Sequence, residues 1–231
     1  CIFVIYIQLA CSYHFVHVCD AHRVRIATAI QGDGPYKDEE VGEKFGFLEP
    51  RENVSLNFVK KWAAVLQEYS ERYGTLVKGW WIDGCYDYFG YNDELLSLYY
   101  KACKFGNPDC VVSMNNGVIH EGNPTVGYSN EDFTSGEYND FTEIPSSQFI
   151  DGTQVHILTP LGVSTEQSPA FAQGGWCCTG VKRNAEYLAE YIKKLKEVPC
   201  PITIDIKVYP DGSLVEEQVA TLEKVSKLLN K

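Results

Sequence analysis

Gly79-Trp80-Trp81-Ile82-Asp83-Gly84-Cys85-Tyr86 is the stretch that decides the fold class. Val77 to Ile82 is a short, mostly apolar run, rich in β-branched and aromatic residues. It follows residues 54–73, where Val54, Phe58, Trp62, Val65, Leu66 and Tyr69 recur at three- and four-residue spacing and Gly74 supplies a helix end. A helix feeding an apolar strand is the pattern of a parallel α/β sheet covered on both faces. A carboxylate placed directly after such a run stands at the carboxyl end of the strand, where parallel α/β folds assemble their active sites. Asp83 is therefore the first candidate functional residue. Asp-Gly is also a common turn pair, so capping its own bend is the competing role. Trp80 and Trp81 offer flat apolar faces suited to a sugar ring, a use that core packing would also account for.

The alternation continues on either side. The sequence predicts a strand over Cys1–Ile7, a helix over 11–22, and a strand over Val24–Ile30 that opens into a Gly/Pro loop, Gln31–Asp38. A helix over 93–105 has Asp93 as its N-cap. Strands follow at Cys110–Met114 and Thr125–Tyr128, the latter leading into a loop over 129–145. Val155–Thr159 is a further strand and Leu161–Gly175 a loop. Helix 180–197, strand Ile202–Val208 and helix 215–229 complete the chain. Six or seven strands separated by helices, with no repeat or linker, indicate one α/β domain over 1–231. The expected form is a (β/α)8 TIM-barrel-type fold, incomplete for want of the first strand or strands. No G-x-G-x-x-G follows any strand, which argues against a dinucleotide fold. The chain opens on Cys1 and holds one Met, the pattern expected of an N-terminally truncated piece.

With 231 residues, 45% of them hydrophobic, the chain can bury a substantial core. A formal charge of −11 argues against nucleic acid, which is bound through basic surfaces. The first nineteen residues carry no Asp, Glu, Lys or Arg, yet Gln8, Ser12, Tyr13, His14 and His17 dilute the run, so no membrane segment is expected. The nine cysteines show no C-x-x-C pair and no zinc-like spacing with histidine, so mostly free, buried thiols with one or two bridges, and no metal, are expected.

A second acidic locus is Glu131-Asp132-Phe133-Thr134-Ser135-Gly136-Glu137. Cleaving a glycosidic bond takes two carboxyl groups across the scissile bond, about 5–5.5 Å apart for retention and about 6.5–9.5 Å for inversion. One must be ionised while its surroundings keep the other protonated. Carboxylates at the ends of different barrel strands meet that requirement, and Asp83 with Glu137 is the favoured pair. The chain lacks a nucleophile elbow, a P-loop and an H-E-x-x-H signature.

Residues 79–86 resemble the nucleophile strand of glycoside hydrolase family 29, the α-L-fucosidases, and more closely a bacterial branch of α-L-fucosidase-like proteins. Gly32-Asp33-Gly34-Pro35, Asp132 to Phe141, Asp151-Gly152-Thr153-Gln154-Val155-His156 and Tyr209-Pro210-Asp211-Gly212-Ser213-Leu214 are similar in the same order, so the resemblance spans roughly residues 24–225. It implies a (β/α) barrel and a retaining, two-step hydrolysis of terminal α-linked fucose or a related deoxysugar. It implies no cofactor, a carbohydrate as partner, and a secreted or periplasmic setting. Carried over, Asp83 is the nucleophile and Glu137 the general acid/base, with Glu131 second. Trp80, Trp81, Glu131, His156 and Trp176 are candidates for binding the sugar. The chain departs from the pattern where the acid/base glutamate commonly follows a tryptophan: the aligned spot is Val155-His156. The family's first strands, with their substrate-binding histidines, would precede Cys1. The alternative is therefore a non-catalytic carbohydrate-binding barrel that has lost its acid/base.

Overall fold

The computed structural model of the chain describes residues 4–6, 26–31, 38–47, 53–168 and 170–230. The helix expected over 11–22 and the Gly32–Pro35 motif lie outside them. The elements are β1 (Val4–Tyr6), β2 (Ile26–Gln31), α1 (Glu39–Phe45), α2 (Leu56–Tyr73), β3 (Val77–Asp83), α3 (Asp93–Lys104), β4 (Val111–Met114), β5 (Phe149–Ile150), β6 (Thr153–Gln154), β7 (Ile157–Pro160), α4 (Ala185–Glu197), β8 (Ile202–Asp205) and α5 (Glu216–Leu229).

Helix α2 starts where the Ser55 hydroxyl accepts a hydrogen bond from the Phe58 amide at 3.1 Å, and it buries Phe58, Val59, Trp62 and Leu66. Helix α3 is capped by Asn92 rather than Asp93. The Asn92 side chain accepts from Leu95 N at 3.1 Å, and Asp93 falls in the first turn, where the helix dipole favours an anion. Ser70 fixes the crossing of the two helices: its hydroxyl donates to Cys103 O at 2.6 Å and accepts from Gly106 N at 3.0 Å. Helix α1 was not anticipated. It is seven residues long and Gly42 is its one buried residue, so it carries no apolar stripe to read.

Two parallel three-stranded sheets form, β2-β3-β4 and β1-β8-β7. In the first, Gln31 pairs with Asp83 and Ile82 with Met114; in the second, Pro160 and Tyr6 both pair with Asp205. Asp83 and Asp205 therefore stand at the carboxyl ends of strands running in register with their neighbours. Trp80, Ile82 and Met114 are buried in a core with Phe58, Leu66, Leu96 and Tyr99 from α2 and α3. Ile157, Ile204 and Ile206 pack with Leu188, Ile192 and Leu195 of α4 and Val225 of α5.

The backbone joining the two sheets is not Thr125–Tyr128, which forms no strand. It lies within the expected loop, at residues 132–138. Asp132 N donates to Val112 O at 2.9 Å, Leu158 N to Gly136 O at 2.7 Å, and Tyr138 N to Leu158 O at 2.9 Å. The sequence hides this bridging segment for two reasons. Glu131 and Asp132 satisfy strand amides with side chains instead of backbone, accepting from Met114 N and Val112 N at 2.8 Å each. Gly136, at φ 59°, then breaks the regular ladder.

A Cβ at Gly136 would sit 1.8 Å from His156 O, with strand backbone on the far side. Gly136→Ala is expected to destabilise the fold by roughly 2–4 kcal/mol, since both the backbone conformation and the strand spacing forbid it. Chemical denaturation of the variant against the parent measures this. A midpoint within error of the parent's would contradict the strand placement.

Among the other elements, β5 and β6 form a hairpin whose turn residues Asp151 and Gly152 both have positive φ, 49° and 87°, as a tight two-residue turn requires. Cys85, Cys103, Cys110, Cys177, Cys178 and Cys200 are free thiols. No helix among the described residues is long and apolar enough to cross a membrane.

Candidate active site

Strand alternation sends Trp80 and Ile82 into the helix-packed core and Trp81 and Asp83 to the opposite face. Trp81 there packs with Leu158 of β7 and Trp176, and its indole N–H donates to Ser135 O at 3.3 Å. Trp80 is 1% exposed among helix residues, so it supports the site from behind rather than lining it. Trp176 is tied to the segment after Glu137 by a 3.0 Å bond from its indole N–H to Asn139 Oδ1. The Lys182 ammonium fastens the same two pieces by donating to the carbonyls of Asn139 and Gly174.

Asp83, half-buried, accepts on Oδ1 from Gly84 N at 2.8 Å and from the Asn115 side-chain amide at 2.9 Å. It thus caps its own turn and also faces inward. The same Asn115 nitrogen donates to Glu137 Oε2 at 2.6 Å. Two carboxylate oxygens sharing one nitrogen can be no further apart than those two distances combined, about 5.5 Å. Asn115 is fully buried at the end of β4, and its Oδ1 accepts from Gly117 N at 3.1 Å, which fixes the amide's orientation. Glu137 is held at backbone level from both sides, with Ile119 N donating to its carbonyl and an isolated bridge pairing it with Leu158.

Burial, and secondarily the charge of Asp83, push the Glu137 carboxyl up to about 7 against the opposing bond from Asn115. Near neutrality this group is thus available as a proton donor. A third carboxylate, Asp205, is 2% exposed at the end of β8. Burial pushes it up to about 7, with the nearby Glu137 charge acting in the same direction and the Cys177 amide and Lys182 opposing. Neither Asn115 nor Asp205 was singled out from the sequence. The signal for Asp205 was present: one carboxylate inside the apolar run Ile202-Thr203-Ile204-Asp205-Ile206 has to be buried.

Two other candidates lie elsewhere. Both carboxylate oxygens of Glu131 are occupied by backbone, Oε2 by Met114 N and Oε1 by Gly127 N at 2.9 Å, and the residue is 4% exposed. Burial pushes it up to about 8 against those bonds. Its geometry is that of a clamp between β4 and the chain at Gly127 that follows it. His156 precedes β7, at the amino end of the strand, four residues and about 13 Å before the level of Asp205. Its Nδ1 lies 3.2 Å from Thr134 O, which can only accept, and its Nε2 lies 2.8 Å from the Thr203 hydroxyl. Burial pushes it down to about 4, so near neutrality it is an uncharged tie between three strands. The structure brings Asp83, Glu137, Trp81 and Trp176 towards one centre and leaves Trp80, Glu131 and His156 as its supports.

No protein-family model matches the chain, and no curated protein does either. Solved structures do. An endo-fucoidan hydrolase of glycoside hydrolase family 107 superposes with a TM-score of 0.66 at 14% identity, over 89% of this chain and 38% of its own. An α-L-fucosidase from Lactobacillus casei, in complex with its α-L-fucose product, gives 0.57 at 15%, over 90% of this chain and 61% of its own. An α-L-fucosidase of Paenibacillus thiaminolyticus gives 0.59 at 13%, over 90% and 49%. The chain spans between 38% and 66% of the length of the structures it was compared with first. The likeness extends to family 107 as well as to α-L-fucosidases and does not single out family 29. What this chain shares with these proteins is the fold of fucose-cleaving glycoside hydrolases.

Proposed function

We propose that this chain carries the catalytic face of a retaining glycoside hydrolase acting on α-linked fucose or a related deoxysugar. Asp83 is the nucleophile and Glu137 the general acid/base. The observation that carries the reading is the shared Asn115 amide, which holds two carboxylates within the spacing that a double displacement uses. The strands form an arc in the order β2, β3, β4, residues 132–138, β7, β8 and β1, with β1 and β2 approaching each other. We read this arc as a (β/α)8-type barrel with its seam between β1 and β2. In that architecture all three buried or half-buried carboxylates fall on the carboxyl-end face.

In the first step, an Asp83 oxygen attacks the anomeric carbon as the glycosidic C–O bond breaks, and the Glu137 proton passes to the departing oxygen. The product is a β-linked glycosyl ester on Asp83. In the second, Glu137, now ionised, takes a proton from water as that water attacks the same carbon, freeing Asp83 and releasing the sugar with its α configuration. Trp81 and Trp176 supply apolar walls. Asn115 stabilises whichever carboxylate is charged and keeps the pair at fixed separation.

The test is hydrolysis across pH of phenyl α-L-fucoside, whose poor leaving group needs the proton. Because the shift of Glu137 is upward, its acid form persists to about 7, and kcat/KM is expected to fall as pH rises through that value. A flat profile from weakly acid to alkaline pH would remove Glu137 from the acid role. Sugar binding without turnover at any pH would favour the non-catalytic alternative.

A further inference from the structure

The turn that follows Asp83 displays an aromatic pair. Tyr86 and Tyr88 stack with ring centroids 5.1 Å apart and planes 16° from parallel, and Tyr88 is 70% exposed. The pair is rigidly mounted. Phe89, 3% exposed in the core, contacts both rings at 5.5 and 4.5 Å. Phe89 N donates to Tyr86 O at 3.0 Å, Gly90 N to Asp87 O at 2.9 Å, and Val54 N to Phe89 O at 2.7 Å.

The pair also lies on the side of the proton donor. The Tyr86 ring faces Gly117, where a Cβ would come within 3.6 Å of it. The Gly117 amide is bonded to Asn115, the bridge between the two carboxylates, and two residues on, Ile119 N holds the Glu137 carbonyl at 2.7 Å. These contacts set the rings beside segment 115–119, which touches both carboxylates through Asn115 and the Glu137 backbone through Ile119. Asp87, exposed between them, and the formal charge of −11 disfavour a sulfated or carboxylated sugar.

Resting on the assignment of Asp83 and Glu137, we infer that Tyr86 and Tyr88 form a platform for a neutral sugar on the leaving-group side of the scissile bond. The substrate class is then a fucosylated neutral oligosaccharide, with the first sugar beyond fucose laid against the rings. A flat ring face mounted on a buried phenylalanine loses little freedom on binding, so contact area converts efficiently to affinity.

The experiment is titration calorimetry with a neutral α-fucosylated disaccharide and, separately, free L-fucose, using the full chain with Asp83→Asn to prevent cleavage, alone and combined with Tyr88→Ala or Tyr88→Phe. The ratio of disaccharide to fucose affinity is expected to fall about tenfold in Tyr88→Ala and to be restored in Tyr88→Phe, which keeps the ring. An undiminished ratio in Tyr88→Ala, no recovery in Tyr88→Phe, or no disaccharide binding by the parent would each overturn the platform. Tyr88-dependent binding in a parent that hydrolyses no fucoside would uphold the platform while removing the proposed activity. Circular dichroism of each variant confirms that its fold is retained, as expected for a side chain so exposed.

Discussion

Asp83→Asn is expected to lower the hydrolysis of an aryl α-L-fucoside by about ten-thousandfold or more while leaving the fold intact. The substitution preserves the side-chain oxygen that accepts from Gly84 N and so keeps the turn after β3. It removes the negative charge and the second carboxylate oxygen, which among the described residues takes no hydrogen bond and is the atom free to attack. No neighbouring group substitutes for it: burial pushes the Glu137 carboxyl up to about 7, and Asp205 is enclosed at the end of β8. Near-parental rates in Asp83→Asn would reduce Asp83 to a turn cap.

Glu137→Ala is expected to slow turnover by about 100- to 10,000-fold, and added azide is expected to restore much of it. With a dinitrophenyl leaving group the first step needs no proton, so the variant accumulates the glycosyl ester and stalls for want of a base. Azide needs no base. Attacking the β-linked ester, it gives the α-fucosyl azide, through two inversions. In Asp83→Gly, azide displaces the leaving group directly and gives the β-azide, through one. Opposite anomers from the two variants would separate nucleophile from acid/base without further assumption. If azide rescues Asp205→Ala and leaves Glu137→Ala slow, the acid/base role passes to Asp205, whose carboxyl is raised to a similar level.

Helices α2, α3, α4 and α5 and strands β3, β4, β7 and β8 are legible in the sequence because each buries a periodic apolar face. Residues 132–138 are not. Buried Thr134 and Ser135, half-buried Glu137 and the glycine at 136 interrupt any apolar pattern, and side chains replace backbone rungs against β4. The segment that carries Glu137 therefore reads as a loop. Within the acidic locus the sequence ranks Glu137 ahead of Glu131 without a physical ground for the separation. The separation depends on which oxygens the neighbouring amides occupy, and that is set by the fold of residues 127 and 114. His156 illustrates the converse: a residue type that invites a catalytic role is placed at the amino end of β7 as a tie between strands. Asn115 carries no charge and no motif, so its bridging role becomes visible only when both carboxylates are seen to converge on it.

The most direct measurement is covalent trapping. A 2-deoxy-2-fluoro-α-L-fucosyl fluoride slows both chemical steps but departs readily, so the glycosyl ester accumulates and can be located by peptide mass mapping. The label is predicted on Asp83, in the peptide that contains Trp80-Trp81-Ile82-Asp83-Gly84. A label on Glu137, Asp205 or any other residue would contradict the assignment of the nucleophile.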